Sequence, residues 1–168
     1  MFSKSLMKPG DLLLFRAEKK STLFEKLIVL GQRFYKHIPE QVKYCHVALV
    51  DKDTDLMLEA VWPKTRVSKI DFVKIEQHEA LELYRVRRIT NEQIDQAIMW
   101  SHDHLDEWYD VSLLLTGYLD TKHSEICSTF VSKAFKSAGV EIPFGSSKKA
   151  LITPDDFGMD VVGLDRIA

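Results

Sequence analysis

Three polar side chains of this 168-residue chain lie in apolar stretches and together could carry out nucleophilic catalysis. Cys127 opens the stretch CSTFVSKAF, His46 lies within YCHVALV, and Glu59 lies within LMLEAVW. A cysteine nucleophile needs a base within hydrogen-bonding distance, and the base works best when a third polar group fixes its ring orientation and tautomer. The three residue types therefore match a thiol nucleophile, a histidine base and a carboxylate that orients the histidine.

The position of Cys127 favours an anionic sulfur. Apolar residues recur at helical spacing after Cys127, and Gly139 is typical of a helix end, so a helix is predicted to begin near the cysteine. Unpaired backbone N–H groups and the helix dipole stabilise a thiolate at such a position. The same N–H groups could receive the oxyanion that forms when a thiolate attacks a carbonyl.

Each of these residues also has a non-catalytic interpretation. A free cysteine is among the most buried residue types, so Cys127 taken alone is more often a structural residue. A histidine within a strand is more often a satisfied core residue. Glu59 could be an ordinary ion-pair partner for Arg85 or Lys69.

The other cysteine and histidines are weaker candidates. Alternation along a strand directs the Cys45 side chain away from that of the next residue, so we expect Cys45 to pack in the core. His102 and His104 do not share a helix face, and no second ligand pair accompanies them. His123 lies near Cys127 in sequence and is the reserve candidate for the base. We expect neither a metal nor a cofactor.

A β-hairpin is predicted to carry two of the three site residues. YCHVALV and LMLEAVW are apolar stretches that flank the polar turn DKDTD. A hairpin centred on that turn sets His46 nearly opposite Ala60 and one position from Glu59, and a bulge or looser turn shifts the register by one. The sequence therefore permits a contact between His46 and Glu59 on neighbouring strands.

The remaining apolar patterns predict a mixture of strands and helices. Further strands are expected over 11–16 and 80–87, helices over 21–34, 89–108 and 109–119, and a helical turn over 153–156. The chain contains no internal repeat or linker, so we expect a single α+β domain over 1–168.

Composition and charge narrow the classes of function. The chain is 45% hydrophobic and 29% charged, which is typical of a globular domain with a sizeable core. A formal net charge of −2 gives no reason to expect nucleic acid or an anionic membrane as a partner. No apolar run has the length of a signal peptide or a membrane span, so we expect a cytoplasmic protein with free thiols.

Several segments resemble the permuted papain-like amidases of the YiiX/YaeF type, within the NlpC cysteine peptidase superfamily. The segments are KPGDLLLF, YCHVALV, LEA, WYDVSLLL, ICSTFVSKAFKSAGVEI and ITPDDF, and they span roughly residues 8–157. The strongest are Pro9-Gly10-Asp11, His46-Val47 and Cys127-Ser128, in that order. Ordinary members of the superfamily have the cysteine helix before the histidine strand, so the order here is the circularly permuted one.

The resemblance implies a role for four residues. Cys127 would be the nucleophile, His46 the general base and acid, and Glu59 the group that orients the histidine. Tyr109 would lie near the nucleophile and help to hold the oxyanion or the substrate. The implied fold is a small antiparallel sheet packed against helices, and the chemistry needs no metal.

The expected activity is that of a cysteine hydrolase or amidase. It would cleave an amide bond in a cell-wall-type peptide or related acyl conjugate through an acyl-enzyme intermediate. The expected partner is thus a small-molecule, peptide or acyl-conjugate substrate. The alternatives are a lipid acyltransferase or thioesterase on the same scaffold, a catalytically inactive binding module, and a structural protein of a phage or virus.

Overall fold

A computed structural model describes residues 4–16, 43–72, 81–110, 124–142, 152–158 and 163–168. Within these ranges the chain forms one sheet of eight strands, three α-helices and a short 3-10 turn, which is the predicted α+β class. The strands are β1 (Leu12–Arg16), β2 (Tyr44–Val50), β3 (Leu56–Val61), β4 (Lys64–Lys69), β5 (Leu81–Val86), β6 (Trp108–Tyr109), β7 (Ser124–Glu125) and β8 (Leu164–Arg166). The helices are α1 (Asn91–Asp103), α2 (Cys127–Ser137) and α3 (Pro154–Gly158).

The predicted hairpin lies in the middle of this sheet. The strand order is β7-β6-β4-β3-β2-β1-β5-β8. Neighbouring strands are antiparallel except β6 and β7, which are parallel. The two strands that carry His46 and Glu59 therefore have a neighbour on either side, which holds their backbones in place.

Strand alternation separates the core into two clusters, one on each face of the sheet. The cluster on the helix face contains strand residues such as Leu12, Leu14, Val47, Leu49, Leu58 and Ala60 together with Phe130, Val131, Ala134 and Phe135 of α2. The cluster on the second face contains Met7, Leu13, Ala48, Val50, Ile70, Leu81 and Leu83. The central strands β1 and β2 are thus largely buried on both faces.

The pairing between β2 and β3 is short. Within residues 43–72 the two strands pair only at Leu49 with Leu58 and at Val50 with Met57. This register is shifted by one from the predicted one, and the shift matters because it places His46 and Glu59 on the same sheet face, where the predicted register would have separated them. His46 itself lies beyond the last paired position.

A β-bulge lies next to His46 in the pairing of β2 with β1, its other neighbour in the sheet. Phe15 pairs with His46, and the next pair joins Arg16 to Tyr44, so Cys45 is the extra residue. Cys45 is 3% exposed, which confirms the prediction that it is buried, and its Sγ approaches the carbonyl oxygen of Phe15 at 3.5 Å.

The helix α1 begins as predicted but ends earlier. Thr90 is the N-cap, because its Oγ1 accepts from the N–H of Gln93 and the Gln93 side chain accepts from the N–H of Thr90. The predicted end at residue 108 is wrong, since the helix ends at Asp103. The buried Thr65 of β4 binds the backbone of 104–107 and draws it into the sheet, and Asp106 adopts a positive φ of 64°.

The periodicity of the sequence did not predict several of the strands. β4 was not predicted, β6 takes up Tyr109 where a helix was expected, and β7 and β8 contain two and three residues. Short strands carry too few side chains to show alternation. The predicted helix over 21–34 lies outside the described residues, as do residues 111–119 of the helix predicted over 109–119.

The turn Pro9-Gly10-Asp11 connects the sheet to α1. Asp11 is 1% exposed, and its carboxylate accepts from Arg85 Nε at 2.7 Å and Arg85 Nη2 at 2.8 Å. Gly10 has a φ of 82°, and a Cβ there would lie 2.8 Å from the Ile94 side chain. This motif therefore has a structural role, and Arg85 is paired with Asp11 and not with Glu59.

In the part of the chain that the structure describes, no helix has both the length and the apolar character that crossing a membrane requires.

Candidate active site

His46 and Glu59 are in direct contact, as the sequence permitted. His46 Nε2 lies 2.7 Å from Glu59 Oε2, so the ring N–H donates to the carboxylate. The Glu59 side chain is 5% exposed and the His46 side chain 16%. A buried hydrogen bond of this length fixes the orientation of the imidazole and leaves Nδ1 as the nitrogen that faces other partners.

The second oxygen of Glu59 is held by β4. Ser68 Oγ donates to Glu59 Oε1 at 2.6 Å, and Arg66 Nε donates to the same oxygen at 3.2 Å. Arg66 Nε also donates to Ser68 Oγ at 3.0 Å. The register explains these contacts, because Glu59 pairs directly with Arg66 and Ser68 is its diagonal neighbour.

These contacts keep the Glu59 carboxylate ionised. Burial disfavours the charged form, but the hydrogen bond and charge of His46, the Ser68 hydroxyl and the charge of Arg66 outweigh it, and the pKa of Glu59 falls to about 2. The carboxylate is therefore negative across the range in which a cysteine hydrolase would work.

Cys127 is the first residue of α2, as predicted, and it contacts the histidine. The helix is preceded by Ile126, whose side chain offers no acceptor to cap the first-turn N–H groups. Cys127 lies close enough to His46 to raise the pKa of the imidazole. Since Nε2 of the ring is bound to Glu59, Nδ1 is the nitrogen available for the sulfur.

This contact joins the two faces of the sheet. Cys127 belongs to the cluster on the helix face, whereas His46 shares the second face with Ala48 and Val50. The pairing of β2 with β3 ends before His46 is reached. We expect this early end of the ladder to give the sulfur its access to the ring.

The histidine is strongly basic in this setting. Burial would lower its pKa, but hydrogen bonds to Cys127 and Glu59 and the charges of both outweigh burial and raise the pKa of His46 to about 10. The ring is therefore an imidazolium at neutral pH, and an imidazolium is the partner that stabilises a neighbouring thiolate.

Tyr109 is buried, and the electrostatic influence of Cys127 reaches its phenol. It is 7% exposed and belongs to the same core cluster as Cys127. Burial, followed by the electrostatic influence of Cys127 and Asp110, raises the pKa of its phenol far above the ordinary value. The hydroxyl therefore stays protonated and can act as a hydrogen-bond donor at any physiological pH.

The start of α2 is anchored from two sides. Thr129 Oγ1 donates to the buried Glu125 at 2.8 Å and accepts from the N–H of Ile126 at 3.0 Å. Ser128 Oγ donates to the carbonyl oxygen of Ile152 at 2.6 Å. These contacts fix the first turn of the helix, and with it the position of the Cys127 side chain.

The weaker candidates lie away from this group or outside the described residues. His102 Nε2 lies 3.1 Å from Asp51 Oδ1, and the His104 ring donates to the carbonyl oxygen of Trp100 at 2.7 Å. His123, the reserve base, is not among the described residues. Within the ranges that the structure describes, no group of three or more His, Cys, Asp and Glu side chains is placed to hold a metal ion.

The sequence pattern did not lead us to predict that Ser68 and Arg66 would contact Glu59. The stretch KTRVSK places Lys64, Arg66 and Ser68 on one side and Thr65 and Val67 on the other, which is the alternation of a strand. A strand predicted over this stretch would have placed the Ser68 hydroxyl and the Arg66 guanidinium near Glu59.

The fold is similar to that of a known bacterial protein. A crystal structure described as metalloprotein yiiX from Escherichia coli O157:H7 matches with a TM-score of 0.63 and 15% sequence identity, over 96% of this chain and 96% of that one. At this identity the similarity concerns the fold.

The sequence itself gives the family. Comparison with curated proteins gave no match. Residues 7–164 match the family described as "Permuted papain-like amidase enzyme, YaeF/YiiX, C92 family". The match covers all described site residues and agrees with the order of histidine strand before cysteine helix, so the chain belongs to this family of permuted papain-like amidases.

Proposed function

We propose that the protein is an amidase in which Cys127 is the nucleophile and an acyl-enzyme forms on its sulfur. The observation that carries the proposal is the arrangement of His46, whose ring is hydrogen-bonded to Glu59 and whose pKa is raised by the neighbouring Cys127. A base held between a nucleophile and an orienting carboxylate is the arrangement that activates a thiol.

The proposed reaction begins with the thiolate and the imidazolium. The Cys127 sulfur attacks the carbonyl carbon of the amide, and a tetrahedral oxyanion forms. His46 then donates its proton to the leaving nitrogen, the C–N bond breaks, and an amine departs while the acyl group remains on the sulfur as a thioester.

Hydrolysis of the thioester completes the cycle. The neutral His46 accepts a proton from a water molecule as the water oxygen attacks the thioester carbonyl. The C–S bond breaks, a carboxylic acid is released, and the thiolate and imidazolium are restored. Glu59 keeps the ring in one orientation through both steps and stabilises its positive charge.

Two kinds of donor are proposed for the oxyanion. The first-turn N–H groups of α2 lie at the cysteine, and the helix dipole gives them a positive potential. The second is the protonated phenol of Tyr109, which lies beside Cys127 and stays neutral. We further propose small peptide amides or related acyl conjugates as the substrate class, in keeping with the family.

Alkylation of the two cysteines tests the activation of Cys127. Cys127 is 1% exposed and Cys45 is 3% exposed, so burial alone predicts slow and equal reaction of both. The proposed ion pair predicts that iodoacetamide at pH 6 labels Cys127 first, as located by peptide mass spectrometry. Cys45→Ala is the matched control and should keep the fast labelling, whereas equal rates or labelling of Cys45 alone would contradict the proposal.

Turnover is tested with a series of N-acyl amino acid p-nitroanilides. We expect p-nitroaniline release by the wild type and by Cys45→Ala, with a thioester adduct on Cys127 after an acid quench. Release by Cys127→Ala at the wild-type rate would refute the proposed nucleophile.

A further inference from the structure

A second group of charged side chains surrounds Glu82 on β5. Glu82 is 2% exposed and pairs in register with Leu14, so it lies on the helix face of the sheet. Its Oε1 forms ion pairs with Arg16 and with Lys43 Nζ, the latter at 2.7 Å, and its Oε2 pairs with Arg166 Nε at 3.1 Å. Three cations therefore converge on one buried carboxylate.

The carboxylate has no capacity for further donors. Tyr44 and Tyr84 also donate to Glu82 Oε2, at 2.6 Å and 3.1 Å. A carboxylate offers about four lone-pair sites, and the described residues already supply five donors. The remaining N–H groups of the cations cannot be satisfied by Glu82.

The group carries an excess of positive charge. Within the described residues, Glu82 is the one ion-pair partner of the Arg16, Lys43 and Arg166 side chains. Asp155 Oδ1 accepts from the backbone N–H of Lys43 at 2.8 Å, so a second buried carboxylate lies close to the cluster and offsets part of its charge. Three cations still leave the cluster with a net positive charge, and like charges in one place repel each other.

The cations are open to solvent on their outer side. The side chains of Arg16, Lys43 and Arg166 are 38%, 42% and 56% exposed, whereas Glu82 is 2% exposed. The carboxylate thus forms the floor of the cluster and the cations form its rim. An anion from solvent could approach the rim without displacing Glu82.

Arg16 provides an independent observation. Its Nε is buried, and among the described residues it has no hydrogen-bond partner. A buried donor without a partner is costly, and a guanidinium is suited to bind an oxyanion through two parallel hydrogen bonds. The exposed part of the Arg16 side chain is open to an anion at the rim.

We propose that Arg16, Lys43 and Arg166 form a binding site for a phosphate group. Phosphate is mostly a dianion at neutral pH, so its charge is opposite to the net positive charge of the cluster. The site uses residues that are separate from Cys127, His46 and Glu59, and occupancy does not require turnover. The proposal is therefore independent of the amidase function.

Titration of the full chain with inorganic phosphate tests the site. In a phosphate-free buffer, calorimetry should show saturable binding that weakens as sodium chloride is added. Arg166→Gln and Lys43→Gln should each weaken binding by about tenfold or more, because each removes a charge-assisted hydrogen bond. Lys43→Arg should retain binding, because it keeps the charge.

Arg87→Gln is the matched control. Arg87 also lies next to β8 and is 53% exposed, but its Nε pairs with Asp165 at 2.6 Å. This change should leave phosphate binding intact. The absence of saturable binding by the folded wild type, or an equal loss in Arg87→Gln and Arg166→Gln, would overturn the proposal and assign the cations only to neutralising Glu82.

A parallel titration with methyl phosphate identifies the form of the ligand. Affinity within tenfold of that for inorganic phosphate supports a site for a phosphate group carried on a larger molecule. Weaker binding by more than tenfold supports a site for the free ion. Equal binding of acetate and phosphate would contradict a site selective for a dianion.

Discussion

Glu59 and Glu82 are both buried carboxylates in the same sheet, yet they differ in what neutralises them. The Glu59 carboxylate accepts hydrogen bonds from a histidine, a serine and one arginine. Glu82 is surrounded by three permanent cations. The first centre contains a group that can gain or lose a proton during a reaction, whereas the second contains charges that do not change in the physiological range.

This difference separates a centre that can do chemistry from one that can only bind and stabilise. In the proposed mechanism the negative charge of Glu59 acts through His46 on Cys127, so a change there should alter activity more than stability. At Glu82 the opposite holds, because the carboxylate holds together side chains from β1, β2, β5 and β8. Substitutions at the two centres should therefore separate the two properties.

The largest effect is expected at the reacting pair. Cys127→Ala and His46→Ala should each reduce kcat/KM by about 10⁴-fold or more, because the nucleophile and its base act as a unit. The double variant should lose little more than either single one. The melting temperature of Cys127→Ala should stay within a few degrees, and unfolding of this variant would instead indicate a structural thiol.

Glu59→Gln should have the next largest effect. The amide can still hold the ring but lacks the charge, so we expect a loss of about 10³-fold in kcat/KM with a measurable remnant. The pKa of His46, now about 10, should fall because one of the charges that raises it is gone. The high-pH limb of the activity profile should therefore move to lower pH, and an unmoved limb would contradict this coupling.

Glu82→Gln should reverse the pattern. Three cations would lose their carboxylate, and we expect a loss of stability on the order of 3 kcal/mol, at the low end for a buried pair because the cations are partly exposed. Urea denaturation measures this loss, and kcat/KM of the folded fraction should stay within about threefold of wild type. A large fall in kcat/KM without a loss of stability would contradict the view that Glu82 stabilises the fold and takes no part in the reaction.

Ser68→Ala tests the anchor of the first centre. Removal of one hydrogen bond from Glu59 Oε1 should lower kcat/KM by about fivefold to tenfold. Ser68→Thr keeps the hydroxyl and should recover most of the rate. Lys69→Ala, on the exposed end of the same strand, serves as the control and should have no effect.

The smallest effect is expected in the stability of the protein at acid pH, compared between wild type and Glu59→Gln. The folded pKa of Glu59 is about 2, below the ordinary value of 4.5, so its contribution to stability is present above about pH 4.5 and is lost as the pH falls towards 2. Over this range, wild type should lose more stability than Glu59→Gln. The free energy of unfolding is measured by urea denaturation at each pH. The same dependence of this free energy on pH in the two proteins would contradict the lowered pKa.

Much of the site follows from local sequence patterns. Cys127 opens a helix because apolar residues recur behind it at helical spacing, and Gly139 ends that helix with a φ of 71°. His46 and Glu59 lie on neighbouring strands because two apolar stretches flank one polar turn. Tyr109 came only from the resemblance, and the roles of all four residues remain predictions.

The remaining features depend on contacts between distant parts of the chain. β4, which brings Ser68 and Arg66 to Glu59, is stabilised by pairing with β3 and by the capture of residues 104–107 by Thr65. The register of β2 with β3 depends on the conformation of a five-residue turn, which the composition of that turn does not specify. A one-residue shift decides which sheet face each side chain occupies.

The sequence by itself determined which residue types are available, which helix begins at the cysteine and which hairpin carries the histidine, because helix and strand periodicity are local properties. Only the tertiary structure decided that Cys127 lies close enough to His46 to raise the pKa of its ring, and that three cations share Glu82. Both arrangements join residues far apart in the chain, and their free energy comes from packing and charge that no local pattern contains.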